Sequence, residues 1–417
     1  MDTIKTINAV LTALFFLCYA YQFFYIPAAM LPRKRKKTPP SGRRYAVLIS
    51  ARNEEQVIGN LVASLRSQTY DQSLLEIFVV ADNCTDGTAR VAAAAGARVF
   101  ERFDLSRIGK GYALQYLLDR IDRSRFDGFF VFDADNVLDE GYIAAMDRTF
   151  SEGYPIVTSY RNSKNYGDNW ISAGYALWFL RESRYLNGAR MRLGTSCAVS
   201  GTGFLFSRET IEETGGWDFF LLTEDIEFTV HHVCAGKKIG FCADAVLYDE
   251  QPVTFHQSWR QRLRWARGYL QVFGKYGTQL LRGILHGSFG CFDMTMNIMP
   301  AAVLSVAGIA VNGAALVLSL SQGAAMATVL RSAAELLLGT YLTLFAIGAI
   351  TTVTEWQRIY TAGWKKVLYA FTFPLFMLTY IPISLTALFT KDLTWKPIEH
   401  NRAIALDQIR RQDRKSA

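Results

Sequence analysis

Short apolar runs alternate with helix-like stretches between residues 45 and 133, and this alternation limits the fold more than any other feature of the chain. The runs have the length and composition expected of strands, and they are Tyr45–Ser50, Leu74–Ala81, Arg98–Phe100 and Phe129–Phe132. The stretches between them are predicted to be helices that end near Ser67, Gly96 and Asp122. Strands that alternate with helices predict an α/β domain with a mostly parallel sheet and helices on both faces.

The last of these runs ends in two carboxylates one residue apart, Asp133 and Asp135. In a strand, residues i and i+2 point to the same side, so both carboxylates can face one target. Facing carboxylates repel each other unless a cation lies between them, and Mg²⁺ or Mn²⁺ suits such ligands together with substrate phosphates. The alternative is an acidic turn after a strand, where Asp and Asn are common for local reasons. The pair alone does not decide between these two interpretations.

Polar residues also follow most of the other predicted strands. Ser50, Arg52 and Glu54 lie in or beside the turn after the first strand, and Asp82 follows the second. Ligands of open α/β sheets bind at the carboxyl ends of the strands, so these side chains are expected to gather at one site that suits a nucleotide. Lys110, between two glycines ahead of a predicted helix, could add positive charge near a phosphate. The chain has neither a Walker loop nor a dinucleotide fingerprint.

Apolar stretches of about 20 residues or more flank this region and are long enough to cross a membrane. They are Ile7–Leu31, Met296–Leu320, Glu335–Thr354 and Val367–Phe389. The first is too long for a signal-peptide core and lacks a small-residue cleavage site, so it predicts a retained anchor. Between the stretches, roughly residues 33–285 have the mixed composition of a soluble domain.

A basic run, Arg33–Lys37, directly follows the first apolar stretch. Under the positive-inside rule, this run places the soluble domain in the cytoplasm and the N-terminus outside. The alternative is a nucleic-acid or nuclear signal, but no nucleic-acid-binding motif accompanies it. The net charge of +8 is then largely a property of the membrane surface. We therefore predict a multi-pass protein of the plasma membrane that contacts the lipid bilayer and no nucleic acid.

These patterns divide the chain into five parts. The parts are an N-terminal anchor at 1–32, a cytoplasmic catalytic domain at 33–252, interfacial amphipathic helices at 253–293, transmembrane helices at 294–390 and a tail at 391–417. Pro374 and Pro382 interrupt the last apolar stretch. A re-entrant or broken helix there would keep the tail in the cytoplasm and Trp395–His400 near the site. The alternative is an ordinary span with an external tail.

Two motifs in the second half of the domain add candidate residues. Gly203 precedes an apolar strand and is predicted to permit close backbone approach to a ligand. Thr223, Glu224 and Asp225 stand at the start of a predicted helix. The threonine suits an N-cap and the acidic residues suit the first turn, so a purely structural role is the alternative.

A third motif lies on a predicted helix, whose spacing places Gln261, Arg264 and Trp265 on one face. An amide, a guanidinium and an indole together suit a clamp for a saccharide and a diphosphate, because Arg grips phosphate in a bidentate fork and Trp stacks on sugar rings. The alternative is a basic amphipathic helix on the membrane surface, and one helix can serve both purposes.

The cysteines and histidines point away from a zinc site. The chain has 6 Cys and 5 His, and none of them shows the spacing of zinc ligands. A reducing cytoplasm does not favour disulfides. His231 and His232 are predicted to lie on a helix surface rather than at a metal.

In this order, the motifs resemble those of the processive, membrane-bound glycosyltransferases of family 2, which include cellulose, chitin, hyaluronan and poly-N-acetylglucosamine synthases. The resemblance covers about residues 43–285 and rests on Asp82, Asp133-Ala134-Asp135, Thr223-Glu224-Asp225 and Gln261-Arg262-Leu263-Arg264-Trp265. It implies the GT-A fold of nucleotide-diphospho-sugar transferases. One departure stands beside Asp82, where Asn83 replaces the second acidic residue of the family.

The resemblance implies a role for each nucleotide-side residue. Asp82 and the Ser50–Glu54 turn would contact the uridine of a UDP-sugar. Asp133 would lie near the nucleotide, and Asp135 would bind Mg²⁺ or Mn²⁺ at the diphosphate.

The resemblance likewise implies roles on the acceptor side. Asp225, with Glu224 beside it, would serve as general base, and Trp395–His400 would form a gating loop like that of cellulose synthase. The diphosphate and the acceptor sugar would be held by Gln261, Arg264 and Trp265.

This chemistry is consistent with the residue types. A carboxylate can take the proton of an acceptor hydroxyl as it attacks the anomeric carbon, and cations can neutralise the leaving diphosphate. One direct displacement inverts the configuration, so we expect a β-linkage from an α-linked UDP-sugar. The leading prediction is extension of a β-linked polysaccharide, coupled to its export. The alternatives are transfer of one sugar to a lipid acceptor and a non-catalytic membrane scaffold that binds nucleotide or polysaccharide.

Overall fold

The computed structural model describes residues 2–32, 41–299, 307–308, 310–314, 316–317, 321, 326–390, 400 and 402–412. Within these ranges, an α/β domain occupies the middle of the chain and long apolar helices follow it. The basic run Arg33–Lys37, parts of the predicted span Met296–Leu320 and residues 395–399 of the predicted gating loop lie outside the described residues.

Among the described residues, eight strands form one mixed sheet. They are β1 (Tyr45–Ala51), β2 (Leu75–Asp82), β3 (Arg98–Arg102), β4 (Gly128–Asp133), β5 (Val137–Leu138), β6 (Ile156–Ser163), β7 (Phe204–Ser207) and β8 (Ile239–Asp249). Their order across the sheet is β3-β2-β1-β4-β7-β6-β8-β5. The first four strands are parallel, as predicted. In the other half, β7 is antiparallel to β4 and β6, and β5 is antiparallel to β8.

Helices cover both faces of the sheet and continue beyond it. They are α1 (Asp2–Tyr19), α2 (Tyr21–Met30), α3 (Ile58–Arg66), α4 (Thr88–Ala94), α5 (Lys110–Leu118), α6 (Tyr142–Phe150), α7 (Trp170–Arg181), α8 (Gly188–Leu193), α9 (Arg208–Glu213), α10 (Glu224–Cys234), α11 (Phe255–Leu285), α12 (Phe289–Ile298), α13 (Met326–Thr354), α14 (Gly363–Leu378), α15 (Tyr380–Phe389) and α16 (Leu406–Arg411). A π-helical segment, Glu182–Asn187, joins α7 to α8. Short 3₁₀ turns occur at Gln72–Leu74, Arg123–Arg125 and Trp356–Arg358.

Two apolar layers cover the two faces of the sheet. Because side chains alternate along a strand, Leu48 of β1 packs into one layer and Val47 into the other, and both are fully buried. The first layer includes residues of α5, α7 and α10, whereas the second includes residues of α3 and α6. These layers hold the strands in register and so fix where their polar ends meet.

The predicted anchor Ile7–Leu31 is divided into α1 and α2 by an interruption at Ala20. Tyr25 on α2 is buried against residues of the π-helical segment and α8, and its hydroxyl donates to Asp293 Oδ2 of α12 at 2.8 Å. The second half of the predicted anchor therefore packs against the α/β domain. Its buried face carries tyrosine and alanine, which fit this contact, whereas a lipid-exposed transmembrane helix has an apolar surface all round.

Two stretches of the described residues are long and apolar enough to cross a membrane, by length and composition. They are Leu337–Thr354 in α13, and Gly363–Phe389, which comprises α14 and α15. The second is interrupted at Thr379, because Pro382 has no N–H for a helical hydrogen bond. Arg262 of α11 lies at this interruption and donates to Thr379 Oγ1 at 2.6 Å.

The C-terminal helix α16 lies on the α/β domain. Ile409 is fully buried there. Arg410 pairs with Asp139 at 2.8 Å, and Gln412 Nε2 donates to the Lys164 carbonyl at 3.1 Å. The described part of the tail is therefore attached to the domain that carries the acidic strand ends.

Candidate active site

One continuous cleft of about 1190 Å³ lies at the carboxyl ends of β1, β2 and β4. Helix α11 forms its opposite wall, and the cleft continues between α12, α13, α14 and α15. The structure brings together in this cleft all but one of the side chains selected from the sequence. They are Ser50, Arg52, Glu54, Asp82, Lys110, Asp133, Asp135, Glu224, Asp225, Gln261, Arg264 and Trp265.

Asp133 ends β4 and forms an ion pair with Lys110, the first residue of α5. The ammonium of Lys110 also donates to the Gly201 carbonyl at 2.7 Å. Burial by itself lowers the pKa of Lys110, but Asp133 and Glu224 outweigh it and raise that pKa above its usual value. Lys110 is therefore a fixed positive charge between the end of β4 and the start of α10.

Asp135 lies deeper in the cleft than Asp133 and is buried. Its Oδ2 accepts a hydrogen bond from the Glu250 backbone N–H at 2.8 Å. Burial alone would raise the pKa of Asp135, but the charges of His400 and Lys164 outweigh it and hold the pKa below its usual value. This carboxylate is therefore kept ionised by cations that come from distant parts of the chain.

His400 occupies the acidic end of the cleft, where its Nδ1 lies 2.9 Å from Glu54 Oε1. Burial would lower the pKa of His400, but Asp135 and Glu54 outweigh it and raise the pKa to about 10. The backbone N–H of Arg402 donates to Glu250 at 3.0 Å. An imidazolium thus stands among three acidic residues, Glu54, Asp135 and Glu250.

The donors at this end fit a divalent cation that takes further ligands from a diphosphate. Asp133 and Asp135 are hard oxygen donors, and Mg²⁺ is usually held by one or two carboxylates plus substrate phosphates. The acidic surroundings of His400 show that this end of the cleft favours positive charge. Within the described ranges, no group of three or more His, Cys, Asp or Glu side chains is arranged to hold a metal without such a substrate.

Glu224 and Asp225 begin α10 and face the middle of the cleft. Asp225 Oδ2 accepts a hydrogen bond from the Gly201 N–H at 2.6 Å. Burial raises the pKa of both carboxyls, and repulsion from Asp225 adds to it, so that the pKa of Glu224 is raised to about 7. Lys110 and Arg264 oppose this rise at both carboxyls. A carboxyl with a raised pKa suits proton acceptance near neutral pH.

Thr223 stands at the N-cap position of α10, as predicted, but its side chain makes no capping hydrogen bond. The hydroxyl is buried and has no hydrogen-bond partner among the described residues. The reason is the close approach of α11, because a Cβ added at Gly268 would lie 2.5 Å from Thr223 Oγ1. The Thr223 side chain therefore packs against α11 instead of capping α10.

Helix α11 brings Gln261, Arg264 and Trp265 to the cleft on one face, as the spacing predicted. Arg264 Nη1 donates to the Leu222 carbonyl at 2.9 Å, which fixes the guanidinium beside the loop that leads into α10. The ring of Trp265 meets Tyr175 edge-on at 5.7 Å and Phe179 at 6.1 Å between centroids. The indole is therefore braced from behind by two rings of α7 while it lines the cleft.

Asp82 ends β2 and forms a buried ion pair with Arg102 of β3. Asn83 Oδ1 accepts from the Asp104 N–H at 2.8 Å, so the residue that departs from the family pattern holds a loop rather than facing the cleft. Asn53 and Asn83 both have positive φ, 57° and 52°, which Asn tolerates better than most residues. These tight turns aim the strand ends at the cleft.

Gly203 is the one selected residue outside the cleft lining. Its φ is +66°, and an added Cβ would lie 2.6 Å from Ser159 Oγ and also collide with Leu247. Its glycine is required for packing inside the sheet, so the prediction that it approaches a ligand is wrong. The prediction of two surface histidines is also wrong for His232, which is buried in α10 while burial lowers its pKa to about 4.

Sequence reasoning missed many residues of the cleft, among them the charged residues Arg161, Glu182 and Asp249. Arg161 of β6 pairs with Asp249 of β8 through Nε at 2.6 Å. Its guanidinium carbon also lies 3.6 Å from the centroid of the Phe179 ring. No local spacing links these residues, because β6 and β8 are neighbours in the sheet and far apart in the chain.

Comparison with known proteins places the domain in a family. The family described as "Glycosyltransferase like family 2" matches residues 40–268, which is more than half of the chain. The matched region contains the acidic strand ends, the start of α10 and the first part of α11.

Curated relatives are similar at about one residue in four. "Probable glycosyltransferase YdaM" of Bacillus subtilis is 27% identical over 57% of this chain and 58% of that protein. "Beta-monoglucosyldiacylglycerol synthase" of Nostoc sp. is 25% identical over 63% of this chain and 57% of that protein. "Poly-beta-1,6-N-acetyl-D-glucosamine synthase" of Staphylococcus epidermidis is 25% identical over 54% of both. The chain thus spans little more than half the length of the curated relatives it matches.

A solved structure shows the same fold. The mannosyltransferase PcManGT from Pyrobaculum calidifontis, solved with GDP-mannose and Mn²⁺, superimposes with a TM-score of 0.60 at 18% identity. The match covers 93% of this chain and 100% of that one. The chain therefore has the GT-A fold that the resemblance implied, with helices appended to it.

Proposed function

The chain belongs to glycosyltransferase family 2, and we propose that it transfers one sugar from a UDP-sugar to the hydroxyl of a membrane lipid. Family membership makes the protein a glycosyltransferase that uses a nucleotide sugar and inverts its anomeric centre. The identity of the acceptor and the roles of individual residues are the proposal. One observation carries it, which is that the acidic cleft runs without interruption into an apolar space between helices.

The lining of that space supports a lipid acceptor. Away from the strand ends, the cleft is bounded by apolar side chains of α11 to α15 with a few polar ones among them. The apolar side chains include Leu263, Leu270, Ile298, Leu344, Met377, Ile381 and Ala387, and the polar ones of the appended helices are Asn297, Thr340, Tyr380 and Ser384. The acyl chains of a membrane lipid can move from the bilayer to such a surface without exposure to water, which would cost about 25 cal/mol per Å² of apolar area. Each sugar of a polymer carries several hydroxyl groups, for which Asn297, Thr340, Tyr380 and Ser384 are few hydrogen-bond partners.

The proposed mechanism is one in-line displacement. Asp225 takes the proton of the acceptor hydroxyl while the oxygen forms its bond to the anomeric carbon and the bond to the diphosphate breaks. Lys110 and Arg264 place positive charge beside the same centre, where charge develops on the leaving group. A divalent cation held by Asp135, with Asp133 beside it, would supply further positive charge to the diphosphate. One displacement gives a β-linked product from an α-linked donor.

Extension of a β-linked polysaccharide, the leading prediction from the sequence, is the second candidate. Trp265 favours it, because an indole braced by Tyr175 and Phe179 at the cleft surface is a platform for a sugar ring. The relative named poly-N-acetylglucosamine synthase adds support, just as the relative named monoglucosyldiacylglycerol synthase supports the lipid acceptor. The non-catalytic scaffold has the least support, because the carboxylates required for catalysis face one cleft.

We also propose how the chain meets a membrane. Residues 33–252 form the cytoplasmic catalytic domain, 253–293 are interfacial and 294–390 carry the spans, with the anchor at 1–32 and the tail at 391–417. Because α2 packs on the surface of the domain, we place this part of the predicted anchor at the membrane–water interface rather than inside the bilayer. The ion pair Arg410–Asp139 supports a tail on the cytoplasmic side.

The test is product analysis with purified full-length chain in detergent. The chain is incubated with labelled UDP-glucose or UDP-N-acetylglucosamine, with Mg²⁺ or Mn²⁺, and with either diacylglycerol or an oligosaccharide. We expect a labelled lipid that carries one sugar and release of one UDP for each lipid formed. A labelled polymer that grows without added lipid would replace the lipid proposal with the polysaccharide one. Absence of UDP release with every donor would contradict both.

A further inference from the structure

A π-helical turn interrupts the helix that forms one wall of the cleft. Residues Glu182–Asn187 have π-helical geometry, whereas Trp170–Arg181 before them and Gly188–Leu193 after them are α-helical. Single π-turns inside α-helices are rare and are frequent at functional sites. The first residue of this turn, Glu182, lines the cleft. The mechanism proposed above does not use this carboxyl.

Glu182 and Asp225 contact two consecutive residues of one loop. Ser200 Oγ donates to Glu182 Oε2 at 3.1 Å, and the Gly201 N–H donates to Asp225 Oδ2 at 2.6 Å. Arg161 Nη1 donates to the Ser200 carbonyl at 3.1 Å and so fixes that loop from the other side. The two carboxyls are therefore held in a set relation by a shared segment of backbone.

The other oxygen of Glu182, Oε1, has no hydrogen-bond partner within the part of the chain that the structure describes. Burial raises the pKa of this carboxyl, and the charge of Asp225 adds to the rise, while Arg161 and Arg190 oppose it. A carboxyl in these surroundings gains stability from any polar ligand group that forms a hydrogen bond with it.

The position of Glu182 along the cleft shows which ligand group that is. Phe179 and Leu186, on the same helical wall, line the cleft on either side of Glu182 in the sequence. Asp225 lies across the Ser200-Gly201 segment. On the side of the appended helices, the charge of Glu182 also acts on Tyr380 of α15, which lines the cleft. Glu182 is thus a polar group between the proton acceptor and the apolar space.

We infer that Glu182 positions the acceptor, because its Oε1 accepts a hydrogen bond from a second hydroxyl of the polar headgroup, next to the hydroxyl that attacks. This inference rests on the proposed function and deepens it. A lipid whose chains fill the apolar space presents its headgroup at the level of Glu182. A hydrogen bond there aims the hydroxyl at Asp225, whereas the donor sugar and its diphosphate bind on the other side of the reacting centre. Glu182 therefore acts on the acceptor and leaves donor binding unchanged.

The test separates transfer from donor hydrolysis in three variants of the full-length chain. Glu182→Leu removes the hydrogen bond at similar volume, Glu182→Gln retains one, and Glu212→Leu is a control on the exposed face of α9. UDP release is measured with UDP-sugar alone, which reports attack by water. It is also measured with increasing monoacylglycerol, which reports transfer and whose second hydroxyl can donate to Glu182. We expect at least a tenfold rise in the acceptor KM for E182L and less than a threefold rise for E182Q. Hydrolysis stays within twofold of wild type in all three.

The outcomes distinguish this inference from the function on which it rests. A wild-type chain that never transfers sugar to lipid contradicts the proposed function. A wild-type chain that transfers, with E182L unchanged in acceptor KM, contradicts only the role of Glu182. Equal losses of hydrolysis and transfer in E182L also contradict it, because they indicate a general defect of the site. If E182L does not fold, Ser200→Ala takes its place, because it removes the hydroxyl that holds Oε2. A rise in acceptor KM then supports the role, and an unchanged KM contradicts it.

Discussion

At the scale of single residues, the cleft sets opposite charges against one another at close range. Glu224 and Asp225 repel each other, and Lys110 is near both. The same ammonium pairs with Asp133 and donates to Gly201. One lysine therefore links the nucleotide side of the cleft to the proposed proton acceptor.

The pH dependence of turnover follows from these charges. A carboxylate accepts a proton only while it is ionised, and burial raises the pKa of Glu224 to about 7 and that of Asp225 above its usual value. We expect kcat to be highest at pH values above the raised pKa and to fall as the pH drops through it. Because the two carboxyls are coupled, the pKa observed in this way belongs to the pair rather than to one residue. The measurement is kcat at saturating substrates between pH 5 and pH 9.

Replacement of Lys110 is expected to shift the acid limb of the pH profile, which is the fall in kcat at low pH, to higher pH. Lys110 lowers the pKa of both carboxyls, so Lys110→Met raises their pKa and shifts the fall in kcat to higher pH. Lys238→Met, at an exposed position directly before β8, serves as the control. An acid limb that stays in place or moves to lower pH in K110M would contradict the assignment.

The candidate site was predictable from the sequence wherever short local patterns carried it. Asp133, Asp135 and Asp82 each follow an apolar strand, and parallel strands bring such ends together. The partners of these residues were not predictable. Arg102 pairs with Asp82 across two strands, and His400, whose segment was predicted to lie near the site, contacts Glu54 in a way that no local pattern indicated. Such pairs depend on tertiary structure that no spacing rule encodes.

At the scale of elements, the contact between α10 and α11 holds the site together. Gly268 of α11 lies against Thr223, so closely that an added Cβ would lie 2.6 Å from Thr223 Cγ2. The next residues along the chain are Glu224 and Asp225. The separation of two helices therefore sets the position of the proposed base.

Gly268→Ala is predicted to displace the start of α10. Overpacking of this kind costs about 1–3 kcal/mol of stability, and misplacement of a reacting group by 1 Å costs about 10²-fold in rate. We expect kcat to fall by about that factor while the thermal unfolding midpoint decreases only moderately. Gly274→Ala is the matched control, because nothing lies within 4 Å of an added Cβ on the same helix.

A second substitution checks the geometry behind this prediction. Thr223→Ala removes the two atoms that an alanine at position 268 would meet first. The double variant is expected to recover most of the lost kcat. If G268A alone retained wild-type kcat, or if the double variant recovered nothing, the contact would not set the position of the base.

The sequence predicted the first four strands and their parallel order, because β1, β2 and β4 have apolar cores and a helical stretch separates each strand from the next. It predicted an apolar strand after Gly203 but not that this strand, β7, is antiparallel to its neighbours. That strand is four residues long and depends on Gly203, whose backbone conformation fits it between its neighbours. The predicted N-cap at Thr223 had the right position and the wrong contact, because the packing of α11 outweighed the local capping preference.

At the scale of the whole molecule, two kinds of surface meet in one cleft. The GT-A domain contributes the acidic residues, and the appended helices contribute a continuation that carries no charged side chain in the cleft lining. Arg262, fully buried in α11, donates to the Phe376 carbonyl at 3.1 Å and so fastens the domain wall to α14. The described part of the tail also contacts the domain, where Arg410 donates to Asp139.

The attachment of the tail predicts the topology of the chain. If α16 stays on the catalytic domain, residues of both lie on the same side of the membrane. We expect Arg411→Cys and Glu212→Cys, both exposed, to resist a membrane-impermeant maleimide in intact cells and to react in inverted vesicles. The wild-type chain, which has its own cysteines, supplies the background. Labelling of R411C from outside intact cells would place the tail on the opposite side.

The central claim is that Asp225 accepts the proton of the acceptor hydroxyl, and one comparison tests it most directly. The rate of sugar transfer is measured for wild type, Asp225→Asn and Asp218→Asn, an exposed aspartate seven residues earlier in the chain. Loss of a general base costs about 10²- to 10⁴-fold. We predict a loss of that size in D225N with unchanged UDP-sugar binding, and no loss in D218N. Transfer by D225N at a rate near that of wild type would contradict the account.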